Sequence, residues 1–459
     1  MKKFLTLTII AIIALIGLPV SVNAADVATE ADLKDAVLTD GTITLLNDIE
    51  LNESLEVGKN VTINLNGHSI TSTDTMTDDS LIIVLHGGKL IIEGNGSISA
   101  TNSASKARVA VKMTKADCDT SNPATLIVNS GTIEGNSFAI SGNGNPDRVN
   151  TIITINGGTV KGSATGIYHP QEGKLTVNGG TVKGETGIEM RSGDLTVNNG
   201  TIIGTGTPAS VTPNGNGTTT VGVGIAIAQH TTTKNINVVV DGGDIQGYSA
   251  LYESNPQSNA TMEKVTIEIT GGEFKAINGG TVAVYSEDKT DFITGGTFSS
   301  DVSLYVNTDE LDVVEDEDGT VIVGKLHTIT VEKVGNGTVK ASKTEAVIGQ
   351  KVTIEAIAAE GYKLKSITGV DGLEEVAEYA YEFTMPDKEV TIIVEFEKIP
   401  TGEDKTTTGE GTTGTESTPA EDEKDETPKT GSVDVVLFAS TIVAVISVAG
   451  IVTVKKCTR

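Results

Sequence analysis

Tyr168, Glu189 and Arg191 are the residues of this chain best placed to do acid–base chemistry. If Ile167, His169, Ile188 and Met190 face a core, strand alternation turns the trio outward on neighbouring turns of chain, with Lys112 on the same face. Proton abstraction from an acidic sugar needs a base beside an oxygen-rich cation site, and glycoside hydrolysis needs two carboxylates about 5 to 10 Å apart. The trio has one carboxylate. Asp78-Asp79 and Asn307-Thr308-Asp309, the other acidic groupings of note, stand in the wrong order at opposite ends of the repeats and read as chance. The five histidines, His68, His86, His169, His230 and His327, show no metal-ligand spacing, and no histidine lies near Cys118. Catalytic residues, metal and cofactor are therefore not expected, and the trio reads as a solvated strand face open to a ligand.

Ligand-binding candidates extend beyond it. Ser141–Asn150, Thr207–Thr220 and Glu253–Lys264 are the longest excursions between repeats, and two of them leave the same corner. Such excursions often build a binding edge. Asp147, Arg148 and His230, with Asn143, Gln171 and Asn255, would line it with hydrogen-bonding groups suited to sugar hydroxyls.

The elements that position these side chains are repeats. Ile153–Gly162, Leu175–Gly184 and Leu195–Gly204 are copies of one motif at offsets of 22 and 20 residues. That period is one turn of a β-solenoid with three short strands per turn. With one turn read as Thr159–Lys161, Gly166–His169 and Lys174–Val177, residues Val160, Ile167, Leu175 and Val177 point inward. Asn156-Gly157-Gly158 and Asn178-Gly179-Gly180 make a bend, and stacked Asn129, Asn156, Asn178 and Asn198 could form an amide ladder along one corner. About eleven coils, spaced ~4.8 Å, fit before residue 325. Thr29–Asp32 reads as a capping box opening a helix over the first coil, and Tyr305–Val323, with its acidic turn, as a closing hairpin.

This pattern resembles right-handed parallel β-helix surface proteins of Firmicutes, with Phe292–Ser303 similar to their recurrent final coil. The resemblance implies the fold for residues 25–325 and leaves activity open, because that fold carries lyases, hydrolases, adhesins and stalks. After Lys325 the period changes to separate alternating strands. Gly361–Leu364 and the run from Phe383 to Phe396 are similar to the small β-grasp-like bacterial repeat related to internalin B-repeats, which implies a spacer or adhesive module over 326–397. From Lys398 to Glu426 apolar residues nearly vanish, as in a disordered Thr/Glu-rich spacer.

Both ends read as processing segments. Lys2 and Lys3 precede an apolar run to Val20, and Val22-Asn23-Ala24 has the small-x-small pattern of a leader cut, placed between Ala24 and Ala25, so that 1–24 is a signal peptide. Thr427-Pro428-Lys429-Thr430-Gly431 is followed by an apolar run, Val435–Val454, long enough to span a bilayer, and a basic tail at 455–459. That order resembles the cell-wall sorting signal of Gram-positive surface proteins, with Thr427 where the family usually has Leu. The resemblance implies attack by a sortase thiolate on the Thr430 carbonyl, release of Gly431 and transfer to a peptidoglycan amine.

Net charge of −28 argues against nucleic acid and anionic membrane surfaces as partners. With 52 glycines, no Trp and 3% aromatics, a conventional globular core is hard to build, and a thin stacked one fits. The expected whole is an all-β, wall-anchored adhesin or stalk on the extracellular face, with peptidoglycan and sortase as partners and a glycan or matrix ligand. It touches the membrane only through the C-terminal helix before sorting. The alternative is a wall-anchored polysaccharide lyase or glycoside hydrolase.

Overall fold

The computed structural model describes residues 23–115, 120–208 and 220–400. The signal peptide core, Cys118, most of the Thr207–Thr220 excursion, the spacer beyond residue 400 and the whole sorting signal lie outside the described residues. Among the described residues no helix is long and apolar enough to cross a membrane.

Three long sheets make up the first three-quarters of the chain. Every third strand in sequence is a neighbour in space, giving a ten-stranded sheet from Asn23–Val27 to Val265–Ile269 and a nine-stranded sheet from Leu55–Val57 to Val284–Ser286. The remaining twelve-stranded sheet starts at Ile49–Leu51. Pairing is parallel between successive coils, with Ile155 opposite Val177, Val160 opposite Val182 and Ile167 opposite Ile188. The chain thus winds as a parallel β-helix-like stack, close to the eleven coils expected. The coil read from sequence appears as strands Thr159–Gly162, Thr165–His169 and Gly173–Val177. Val160, Ile167, Leu175 and Val177 are buried in the core between the sheets. β-branched residues recur there because parallel registry puts like on like, and their stiff side chains pack on a pleated surface at little entropic cost.

The amide ladder is present. Asn156 Nδ2 donates to Asn129 Oδ1 at 2.9 Å, Asn178 to Asn156 at 2.9 Å and Asn198 to Asn178 at 2.7 Å. Each rung turns the preceding amide so that it can accept and donate at once. Asn178→Ala removes one bond given and one received, so a loss of about 1 to 2 kcal/mol is expected, read as a lower urea midpoint. An unchanged midpoint would mean that water replaces the ladder at no cost.

Both ends of the stack are covered. Thr29 caps the helix Glu30–Ala36 by accepting from the Asp32 amide, and buried Leu33 and Val37 close over the first coil. The strand Asn23–Val27 precedes this helix and pairs with Gly41–Leu45. The leader cut expected between Ala24 and Ala25 falls inside this strand. At the far end Asp312–Glu315 and Val321–Gly324 form the closing hairpin. Unpaired amides near the last coils are met by side chains: Ala276 by Ser299 Oγ, Ala283 by Ser300 Oγ and Ser286 by Tyr305 Oη. These contacts blunt an edge that would otherwise invite another strand.

The second module has a core of its own around Ile354, Phe383, Ile392 and Phe396. It consists of two four-stranded sheets. No helix is found among its described residues, so the β-grasp comparison extends to the strands alone. Asp316 in the hairpin turn accepts from Lys343 Nζ at 2.6 Å and from the buried Gln350 side chain at 2.7 Å, tying this module to the stack.

Candidate functional site

The nine-stranded sheet sets the site. Its register aligns an outward column, Lys112, Ser141, Tyr168, Glu189, Ala226, Tyr252 and Tyr285, beside the inward column Val111, Ile140, Ile167, Ile188, Ile225, Leu251 and Val284. The expected shared face of Lys112, Tyr168 and Glu189 is therefore real.

Its solvent exposure is not as expected. Glu189 and Arg191 are fully buried, and Tyr168 is only 7% exposed. Strand alternation gives the side of a sheet on which a residue lies, not what covers it, and here the loops fold back over the face. The turn after Val223–Ile227 lies on Arg191: its Nε donates to Ala228 O at 2.9 Å, and the His230 amide donates to Arg191 O at 3.0 Å. Asn259, from the next coil's excursion, donates to the carbonyls of Gln229 and His230 at 3.1 and 3.2 Å. The Gly142 amide donates to Tyr168 O at 3.2 Å. Excursions from two coils are thus stitched together over Arg191, and the Ser141–Asn150 loop borders the same groove as His230.

Between these loops and the earlier coils, that groove measures about 540 Å³. Lys112, Phe138, Asn143, Asn145, Tyr168 and His230 line it. Phe138 and Tyr168 stack with ring centroids 5.2 Å apart, which fixes an apolar floor. Asp79, set aside as chance in the sequence, lines the groove too and holds Lys112 Nζ at 2.7 Å. Burial raises the Asp79 carboxyl, but the Lys112 ammonium and the Ser80 hydroxyl outweigh it, so the group stays below the usual range and remains charged. Asp147 and Arg148 occupy the short 3-10 turn of the same loop, their side chains 3.5 Å apart, outside the lining itself. Gln171 is buried instead, donating to Thr151 Oγ1 at 3.0 Å. Asn255 borders a different cleft.

Sequence reasoning put Lys112 and Tyr168 on a strand face and Asn143 and His230 on a separate loop edge; the structure brings the four to one groove, to which Asp79, Phe138 and Asn145, missed in the sequence, also belong. Phe138 carried a signal, because it opens the strand whose Ser141 precedes Tyr168 in the column, one coil away. The described residues contain no group of three or more potential ligands able to hold a metal ion.

Comparison with known proteins adds one finding. No curated protein and no solved structure matches the chain. Residues 327–400 match the divergent InlB B-repeat domain family, so the second module is of the B-repeat type expected from its strands and its Phe383–Phe396 ending.

Proposed function

We propose that this chain is a cell-wall-anchored surface protein whose β-stack, wound as a right-handed parallel β-helix, displays a groove that adheres to glycan or matrix ligands. The observation that carries the reading is the groove itself. A rigid sheet supplies stacked Phe138 and Tyr168, and loops from separate coils supply amide and imidazole groups at its rim. An apolar floor with a few converging polar groups is the usual build of a small-ligand site. The lyase or hydrolase alternative draws no support here, because burial keeps Glu189 and Arg191 from a polysaccharide. The B-repeat module then serves as a spacer or second adhesive unit between groove and wall.

Cells producing the full chain should adhere to glycan- or matrix-coated surfaces better than cells lacking it, and adhesion should fall when Phe138→Ala is introduced. Equal adhesion by all three would reduce the chain to a stalk. Anchoring has its own test. Thr430→Ala keeps the backbone carbonyl but spoils the pentapeptide in which a sortase recognises it, so the variant should stay with the membrane fraction, whereas the parent is released by muramidase. If both fractionate alike, covalent sorting fails.

A further inference from the structure

On the same face, three coils beyond Tyr168, a second cleft of about 670 Å³ opens beside Tyr248, Tyr252, Ser254, Asn255, Ser258 and Glu287. In the outward column Tyr252 stands between Tyr285 and Ala226. The Tyr252 and Tyr285 rings stack with centroids 4.7 Å apart and planes inclined by 20°, so one face of Tyr252 is occupied. Ala226, on its other side, is fully buried, and Tyr252 meets the cleft together with Tyr248. The polar rim is preorganised. The Asn255 amide donates to Glu287 Oε2 at 2.9 Å, and the Asn255 side chain is held by the Asn259 backbone through bonds of 2.9 and 2.8 Å. A carboxylate with one such bond keeps capacity to accept from further hydroxyl donors. Burial, then the neighbouring tyrosine and Glu287, raise the Tyr252 hydroxyl, which stays neutral and able to donate.

We propose that this cleft is a subsite for a neutral pyranose, packed against Tyr252 and Tyr248, its hydroxyls shared between Glu287 and the Asn255 region. The proposal rests on the glycan reading above and narrows it. A carboxylate in the site and a chain charge of −28 repel sulfated and uronate sugars, so neutral glycans are selected. Three rungs of about 4.8 Å put the two aromatic floors roughly 14 Å apart along one face. The intervening rungs, Glu189 and Ala226, are fully buried, so the cleft takes its sugar separately from the groove.

Calorimetric titration of the detergent-solubilised full chain with cellotetraose, chitotetraose, mannotetraose and a heparin tetrasaccharide tests this. At least one neutral sugar should bind and the heparin fragment should not. Tyr252→Ala should weaken binding about tenfold or more, whereas Tyr252→Phe, which keeps the ring, should stay within about twofold. Glu287→Gln, a change at the rim, gives a second reading and should cost about fivefold. If Tyr252→Ala and Glu287→Gln bind like the parent while Phe138→Ala abolishes binding, this subsite is wrong and the groove stands. If no neutral sugar binds the parent, this subsite falls while the adhesion reading is decided by its own test, and preferential heparin binding would overturn the ligand class.

Discussion

Gly162→Val should be among the most damaging single changes in the β-stack, lowering stability by on the order of 3 kcal/mol. A Cβ at this position would lie 1.9 Å from the Thr165 carbonyl oxygen. Nothing there is a flexible side chain end that could swing aside. The same crowding recurs at neighbouring coils where the chain passes from the twelve-stranded to the nine-stranded sheet. At Gly135 the added carbon would sit 1.8 Å from Phe138 O, at Gly184 2.6 Å from Thr186 O and at Gly204 2.3 Å from Val223. Gly135 pairs with Gly162 and Gly184 with Gly204, so these glycines form a column along one corner. The cost is one of close approach, because Gly162 has no positive φ. Gly67→Ala is the instructive control: its φ is +87° but an added Cβ meets nothing within 4 Å, so only about 1 to 2 kcal/mol of backbone strain is expected. Urea midpoints of the two variants should separate clearly. Equal midpoints would show that the corner has room that its backbone geometry denies.

Acidification should destabilise the stack through His169. This imidazole is fully buried, with Nδ1 2.9 Å from Ser192 O. Burial lowers its pKa from 6.5 to about 4, although the Ser192 carbonyl opposes the shift. The unfolded chain therefore binds the proton more readily than the folded one between those values. Stability from keeping this ring neutral is fully present above pH 6.5 and is lost as pH falls toward 4. At about 1.4 kcal/mol per unit, roughly 3 kcal/mol disappears across the window. His169→Gln, which keeps an amide near the Ser192 carbonyl, should flatten the pH profile between 6.5 and 4 whatever its effect at neutral pH. An identical slope in parent and variant would remove His169 as the cause.

Much of the fold was legible because the stack is built from local rules repeated. The alternation in Thr159–Lys161 and Lys174–Val177, the Asn-Gly-Gly bends and the Asn129–Asn198 ladder each needed only the next coil as context. The Thr29 cap and the acidic hairpin were readable for the same reason. The corner glycines were harder. Gly162 and Gly184 were visible as motif ends, but the reason for them lies in a carbonyl oxygen across the bend. The site was legible by half. Strand period placed Tyr168 and Glu189 in one column, yet the hold on Arg191 depends on Ala228 and His230, supplied by a later coil. Phe138 reached Tyr168 through the register of the next coil, whereas Asp79, held by Lys112, comes from a coil too far back in sequence for a local pattern to place it.

The most direct test of the account is binding of the purified full chain to an array of glycans and matrix proteins, with Phe138→Ala measured alongside. The account predicts a defined set of bound ligands for the parent and loss of that set for the variant, whose urea midpoint is checked in parallel. Silence of the parent on every spot, or an unchanged pattern from a folded Phe138→Ala, would contradict it.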